Sequence, residues 1–363
     1  RGLGLALGLP EALEKSSANR DHYVVNTLME EAITSSQLEG AATTRPVAKE
    51  MLRTGRQPRD KSERMILNNF LTMQRIRDHR AEKLTPEIVF ELHRRVTEGT
   101  LEEPDAAGRF RRADENIRVE DMEGNIFHEP PPAAELPGRL DAMCRFANGD
   151  EPDYFVHPVL RAIILHFWLA YDHPFVDGNG RTARALFYWS MLRQDYQLFE
   201  FISISEILLR APARYAEAFL HTETDDNDLT YFILHQAEVI REAVKSLRDY
   251  LARKNAELRA ASNCLRGTQD LNHRQQALLA HALRERHTRY LIGAHQRSHG
   301  VTHQTARDDL FGLAKRGLLG FTRPGRAYVF HAPGDLEDKL AKLAGGAAPM
   351  DDAASQTMKL PFK

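Results

Sequence analysis

The sequence predicts an all-helical main fold carrying one small β-hairpin, followed by a compact unit of helices and a second hairpin. Three observations support it. Apolar residues recur at three-and-four spacing, as in Ile66, Phe70, Met73 and Ile76, and again in Val159, Ala162, Ile163, His166, Phe167 and Ala170. Asn116 to His128 interrupts that pattern with two short extended stretches around an Asp-Met-Glu-Gly-Asn turn at 121–125, closed by the helix-breaking Pro130, Pro131 and Pro132. At 363 residues the chain exceeds the roughly 100 to 200 residues of an ordinary domain, so two or three units with cores of their own are expected.

In chain order, Val25, Leu28, Met29, Ala32 and Ile33 form the apolar face of a helix over about 24–40 that stops at Gly40. Helices follow the hairpin at Asp141 to Asn148 and His157 to Tyr171, then, after a loop through Gly180, from Arg181 to about Gln194. A long charged helix over Thr230 to about Ala260 connects to a region of different character. There Asn272 to Arg286 is amphipathic, a short helix runs to His295, and a third helix places Ala306, Leu310, Leu313 and Ala314 on one face. Phe321 to Phe330 then reads as two strands about a Pro-Gly-Arg turn. Three helices and a hairpin is the order of a winged helix-turn-helix domain. The expected divisions are 1–105, an N-terminal helical region, 106–262, a core with connecting helices, 263–335, the winged helix, and 336–363, a flexible tail.

Net charge is −2, yet from Arg266 to Phe330 there are eleven Lys and Arg against four Asp and Glu. Thr302, His303, Gln304 and Arg307 open the third helix, and Arg323 and Arg326 sit in the wing, where DNA would be read. Protein docking and dimerisation use the same fold, so partners stay open between DNA, another protein and a second copy. Cys144 and Cys264 have no Cys-x-x-Cys spacing, which fits a reducing, cytoplasmic setting without disulfide or zinc framework. No apolar run approaches eighteen residues, so no membrane span is predicted, and the opening Arg1 to Pro10 lacks the charge and cleavage pattern of a leader.

The chemistry concentrates in His173-Pro-Phe-Val-Asp-Gly-Asn-Gly-Arg-Thr-Ala-Arg184. Gly178 and Gly180 around Asn179, just before a helix, let backbone N–H groups converge on one point and add the positive end of the helix dipole. Arg181 and Arg184 stand three apart at the start of that helix, which suits a polyphosphate. Asp177 offers a hard oxygen for Mg²⁺, and His173 is the nearby side chain able to accept a proton near neutral pH. A Rossmann reading of Gly178-Asn-Gly-Arg-Thr-Ala183 fails because a helix, not a strand, precedes it; no Walker-type loop is present. His157 and His166 are spaced for structural use.

This segment resembles, residue by residue, the signature of the Fic family, and Leu92-His93, Gly108-Arg-Phe-Arg111 and Phe127-His-Glu-Pro-Pro131 resemble its flanking sequence, over roughly residues 25 to 250. The resemblance implies transfer of AMP from ATP, with Mg²⁺, to a protein hydroxyl. His173 would be the base and Asp177 the metal ligand, with Gly178, Asn179, Gly180, Arg181 and Arg184 on the phosphates. Gly180, where other members carry lysine, favours AMP transfer over phosphorylation. Tyr215 lies where the family places an aromatic near adenine, core use being the alternative, and the hairpin corresponds in position to a flap that holds the target. Asp172 departs from the apolar residue common before the histidine.

Ser35-Ser-Gln-Leu-Glu39-Gly40 is physically odd, because it sets the Glu39 carboxylate at the negative end of its own helix, a cost of about 0.3–1 kcal/mol unless a cation compensates. Ser35 lies one turn earlier on the same face. The stretch resembles the inhibitory motif of Fic proteins, which implies pairing of Glu39 with Arg184 and exclusion of the γ-phosphate. Release of AMP from a modified protein by water held at Glu39, or a DNA-binding regulator whose site only senses nucleotide, are the competing readings. The target, possibly the chain itself, is not identified by sequence.

Overall fold

The computed structural model describes residues 17–120, 126–266, 271–284, 288–325 and 327–344. The leader-like segment, the hairpin turn at 121–125, Arg326 and the tail beyond 344 lie outside the described residues. The chain divides into two units, 1–249 and 250–363.

The first unit opens with α1 (Ser17–Leu38), α2 (Arg45–Thr54), α3 (Lys61–Asp78) and α4 (Pro86–Thr97). Their starts follow local chemistry. Asp60 accepts from the Glu63 N–H and Thr85 from the Ile88 N–H, satisfying first-turn donors, and Pro86 occupies the first helical position, where its missing N–H costs nothing. The hairpin pairs β1 (Val119–Glu120) with β2 (Ile126–His128) antiparallel, with a bulge that leaves Phe127 as the additional residue.

Then come α5 (Leu136–Asn148), α6 (Pro158–Asp172), α7 (Asn179–Arg193), α8 (Ile204–Arg210), α9 (Pro212–Thr224) and the long α10 (Thr230–Arg266). The centre is α7, buried from Arg181 to Leu192 and packed by α6, α3, α4 and α1. A helix covered on every side needs no solvent-facing stripe, which is why apolar residues crowd all round it at Ala183, Ala185, Leu186, Phe187 and Trp189.

The second unit contains α11 (His273–Arg284), β3 (Arg289–Leu291), α12 (Ile292–His299), α13 (His303–Lys315), β4 (Gly320–Thr322), β5 (Val329–His331) and α14 (Leu336–Ala344). Its sheet has the order β3-β5-β4, all antiparallel, with Phe330 paired to Tyr290 and Phe321. The strand β3 was not anticipated, since three residues give too short an alternation to read. The expected tail from 336 is also corrected: α14 is a helix, and Leu336 and Leu340, one turn apart, are buried in the core with Leu279, Leu310, Leu313 and Phe330. No described helix is long and apolar enough to cross a membrane.

Candidate active site

α6 ends in a residue with φ 44° and ψ 55°, and that residue is His173. The left-handed conformation is disfavoured for a side-chain-bearing residue, and three contacts hold it there. Its N–H closes the helix on the Leu169 carbonyl at 3.1 Å, while Arg111 donates from Nε to the His173 carbonyl at 2.8 Å and from its backbone N–H to Pro174 at 2.8 Å. Arg111 also reaches the Pro131 carbonyl at 2.5 Å, fastening the far end of the hairpin to the same loop.

His173 donates from Nδ1 to the Ala170 carbonyl at 3.1 Å, because a carbonyl can only accept. The lone pair is therefore on Nε2. Burial lowers the pKa of this ring to about 4, with His128 and Arg111 acting in the same direction against the Ala170 bond and Glu39. The imidazole is neutral at physiological pH and competent as a base.

The loop after His173 is shaped by His93. This ring stacks on Phe175 with centroids 3.7 Å apart, accepts the Gly108 N–H at Nδ1 (2.9 Å) and donates from Nε2 to the Asp177 carbonyl (2.8 Å). Burial lowers its pKa to about 4, so the single proton these two bonds require is the one it carries. Gly178 has φ 83°, and a Cβ there would lie 2.6 Å from the Thr97 methyl, so the position excludes any side chain.

Asn179 is engaged within the loop. Its Oδ1 accepts the Phe175 N–H at 3.0 Å and its Nδ2 donates to the Phe175 carbonyl at 2.8 Å, so the amide folds the loop. The two arginines also diverge rather than share one anion. Arg181, fully buried, donates to the Val96 carbonyl at 2.9 Å and to Asp177 at 3.3 Å, while its Nε has no partner among the described residues. Arg184, also buried, donates from Nε to Ser35 Oγ at 2.8 Å and from Nη2 to the Ser35 carbonyl and Glu39 Oε1, both at 2.9 Å. Sequence separation of three allowed a common face, and burial on two sides turned the side chains apart.

Glu39 lies at the start of α7. A Cβ added to Gly180 would collide with Glu39 Oε1 and stand 3.0 Å from Arg184 Nη1. A carboxylate thus sits where the glycine turn, the start of α7 and Arg184 meet, a place the helix dipole makes favourable for negative charge. This resolves the oddity in the sequence, because the charge misplaced at the end of its own helix is compensated by the start of another.

Asp177 is half exposed, and its Oδ1 accepts from the Gly178 N–H at 2.5 Å and from Arg181. No cluster of three or more His, Cys, Asp or Glu suited to a metal occurs among the described residues. One hard carboxylate beside an anion cradle fits Mg²⁺ that completes its shell from phosphate and water.

On the neighbouring wall, Tyr215 places its hydroxyl 2.8 Å from His166 Nε2 and packs against Phe219 and His235. Burial pushes its pKa up to about 12 and that of His166 well down, so the pair is neutral. Asp172, the departure before His173, is buried and paired with Arg139 at 2.6 Å; burial raises its pKa against that partner. Sequence reasoning gave no role to Arg139, and used His93 and Arg111 only as flanking resemblance.

Residues 83–191 match the sequence profile of the Fic/DOC family. The protein adenylyltransferase Fic of Nematostella vectensis is 33% identical over 117 residues, 32% of this chain and 25% of that one. The protein of the same name from Drosophila melanogaster is 34% identical over 133 residues, 36% and 25% of the two chains. The chain thus aligns with about a quarter of the length of these relatives. A Fic family protein from Desulfovibrio desulfuricans superposes with a TM-score of 0.59 at 16% identity, covering 92% of this chain and 93% of that one. A Fic domain containing signaling protein from Bacteroides thetaiotaomicron gives 0.54 at 20% identity, over 66% of this chain and 95% of its own. The mainly helical fold expected from periodicity is the fold these structures share, and residues 83–191 of the chain are similar in sequence to the Fic/DOC family.

Proposed function

We propose that this chain is a protein adenylyltransferase, moving AMP from ATP to a hydroxyl of a target protein and restrained by its own Glu39. One observation carries the reading: a neutral histidine with its lone pair on Nε2 stands beside an anion position already filled by a carboxylate. The target hydroxyl gives its proton to His173 Nε2, its oxygen bonds to the α-phosphorus, and the bond to the β-phosphate oxygen breaks so that pyrophosphate leaves. Asp177 would hold Mg²⁺, which supplies positive charge to the phosphate oxygens.

With Glu39 in place the γ-phosphate has no access to Arg184, and ATP lies out of line for transfer. Tyr215 offers an aromatic wall for the base of ATP. Val119, Ile126 and Phe127 are exposed on the hairpin, which supports its use as a flap that adds a strand of target. The free, buried Cys144 supports a reducing compartment such as cytoplasm.

Incubation with α-³²P-ATP and lysate, followed by mass spectrometry of labelled bands, tests the activity. Hydroxyl-linked AMP supports it, while release of AMP from a modified protein that stops in Glu39→Gly supports the hydrolase instead. Transfer undiminished in EDTA, or in Asp177→Ala, rejects the metal role.

A second reading concerns the basic unit, proposed as a winged helix that binds DNA. In its favour, Arg307 lies 5.3 Å over Phe311 and Arg323 4.9 Å over Tyr328, framing the exposed Phe321 on one face of α13 and the β4–β5 hairpin. Binding that falls steeply with salt supports it, and no shift at low salt assigns the face to protein contacts.

A further inference from the structure

Eight residues before Glu39, on α1, a second carboxylate is buried, near enough to Arg184 to act on that guanidinium but not bonded to it. Glu31 is 2% exposed and forms no ion pair among the described residues. Four donors converge on it. Oε2 accepts from the Tyr188 hydroxyl at 2.8 Å, the Ser203 hydroxyl at 2.7 Å and the Ser205 N–H at 3.1 Å, and Oε1 accepts from the Ser205 hydroxyl. The cage is itself fixed, since the Tyr188 oxygen accepts the Ile204 N–H at 2.9 Å and Ser203 Oγ the Glu206 N–H at 3.1 Å. A buried carboxylate surrounded by neutral donors is specific in a way an apolar contact is not, because sliding α1 strands the charge and every donor together.

Residues 31, 35 and 39 are separated by one and two helical turns, so Glu31 and Glu39 stand about 12 Å apart along α1. On α7 the corresponding residues are Tyr188 and Arg184, one turn apart. Two rungs therefore join the helices, Glu31 to Tyr188 and Ser35 with Glu39 to Arg184, in reversed order along the two helices. The second rung is the one a phosphate can displace. The first has no ligand to compete with, and a rigid helix transmits its registration to the other.

We infer that Glu31 is a positioning residue for the restraint: its hydroxyl cage fixes the axial register of α1 so that Glu39 meets Arg184. This rests on the proposal that Glu39 restrains AMP transfer. Glu31→Gln keeps the shape but places an amide NH₂ among donors, so α1 loses its anchor.

The test uses the full chain and measures self-modification from α-labelled ATP in four proteins: parent, Glu31→Gln, Glu39→Gly and the double variant. Glu39→Gly is expected to rise at least tenfold and Glu31→Gln about threefold, with no further gain in the double variant. Should Glu31→Gln lose its cooperative melt, Ser205→Ala, which removes one donor, is read instead with the same expectation. Glu39→Gly raised with Glu31→Gln and Ser205→Ala unchanged overturns the inference and leaves the restraint standing. An equal factor from Glu31→Gln in both backgrounds also overturns it, since the effect then bypasses Glu39. Glu39→Gly unchanged rejects the restraint itself and the inference with it.

Discussion

The loop from His173 to Arg181 and the seam between α1 and Arg184 adjoin one another but are held by different kinds of contact. The loop is fastened by groups no ligand can replace: the Asn179 amide on Phe175, the His93 ring on Phe175 and Asp177, and the Arg111 guanidinium on the His173 carbonyl. The seam is closed by a carboxylate on an arginine at a helix N-terminus, which a phosphate can imitate. The loop is held by hydrogen bonds to backbone carbonyls and N–H groups, whereas the seam depends on an exchangeable ion pair.

The largest expected effect lies in the loop. His173→Ala should lower AMP transfer by about 10²–10⁴-fold, the usual contribution of a general base, while ATP binding measured by calorimetry changes only a few-fold. Comparable transfer by the variant would sink the mechanism.

Asn179→Ala probes whether the amide is structural. It leaves a buried N–H and carbonyl on Phe175 unpaired, at about 1–3 kcal/mol for each such group. Transfer should fall about a hundredfold and the thermal midpoint by several degrees. A variant with lost ATP binding and an unchanged melt would return Asn179 to the phosphates.

At the seam the sign reverses. Glu39→Gly should raise transfer at least tenfold, equivalent to about 1.4 kcal/mol of released restraint. Glu39→Gly with Arg184→Ala should lose much of that gain, because the arginine freed by the first change is the phosphate partner removed by the second. An additive result would separate the two residues and dissolve the comparison.

The smallest effect is in pH. His173 must be neutral to act, and its pKa is lowered from 6.5 to about 4, so transfer should stay level down to about pH 5 instead of halving near 6.5. His93 shares the shift, and both rings bind fewer protons folded than unfolded between those values. Stability is therefore fully present above pH 6.5 and is lost as pH falls toward 4. Rate profiles and melting curves taken together separate the two; a rate midpoint near 6.5 with an unchanged melt would contradict the buried ring.

Much of the site was legible because its parts are near in sequence. A histidine, a carboxylate and a glycine turn fall within a few positions from His173 to Gly180, and the periodicity around them predicted α6 and α7 to within a few residues. Glu39 was legible for another reason, as a charge at the wrong end of a helix. What could not be read depends on distance in the chain. His93 meets Asp177 across 84 positions, Arg111 meets His173 across 62, and Glu31 meets Ser205 across 174, and no spacing rule connects such pairs. At the other end, the Gly- and Ala-rich residues after Ala344 drew attention from Leu336 and Leu340, whose one-turn spacing marks the face that α14 buries.

Position 180 carries a constraint on how this protein can change. The carboxylate of Glu39 fills the volume that a side chain at 180 would claim, and on the proposed function a phosphate would rest in that same volume. On the proposed function, a substitution there would displace the Glu39 carboxylate and the phosphate alike, so it would not trade restraint for activity. Gain-of-function variants recovered from a random library should therefore map to α1 and the residues gripping it, and the loop should yield only losses.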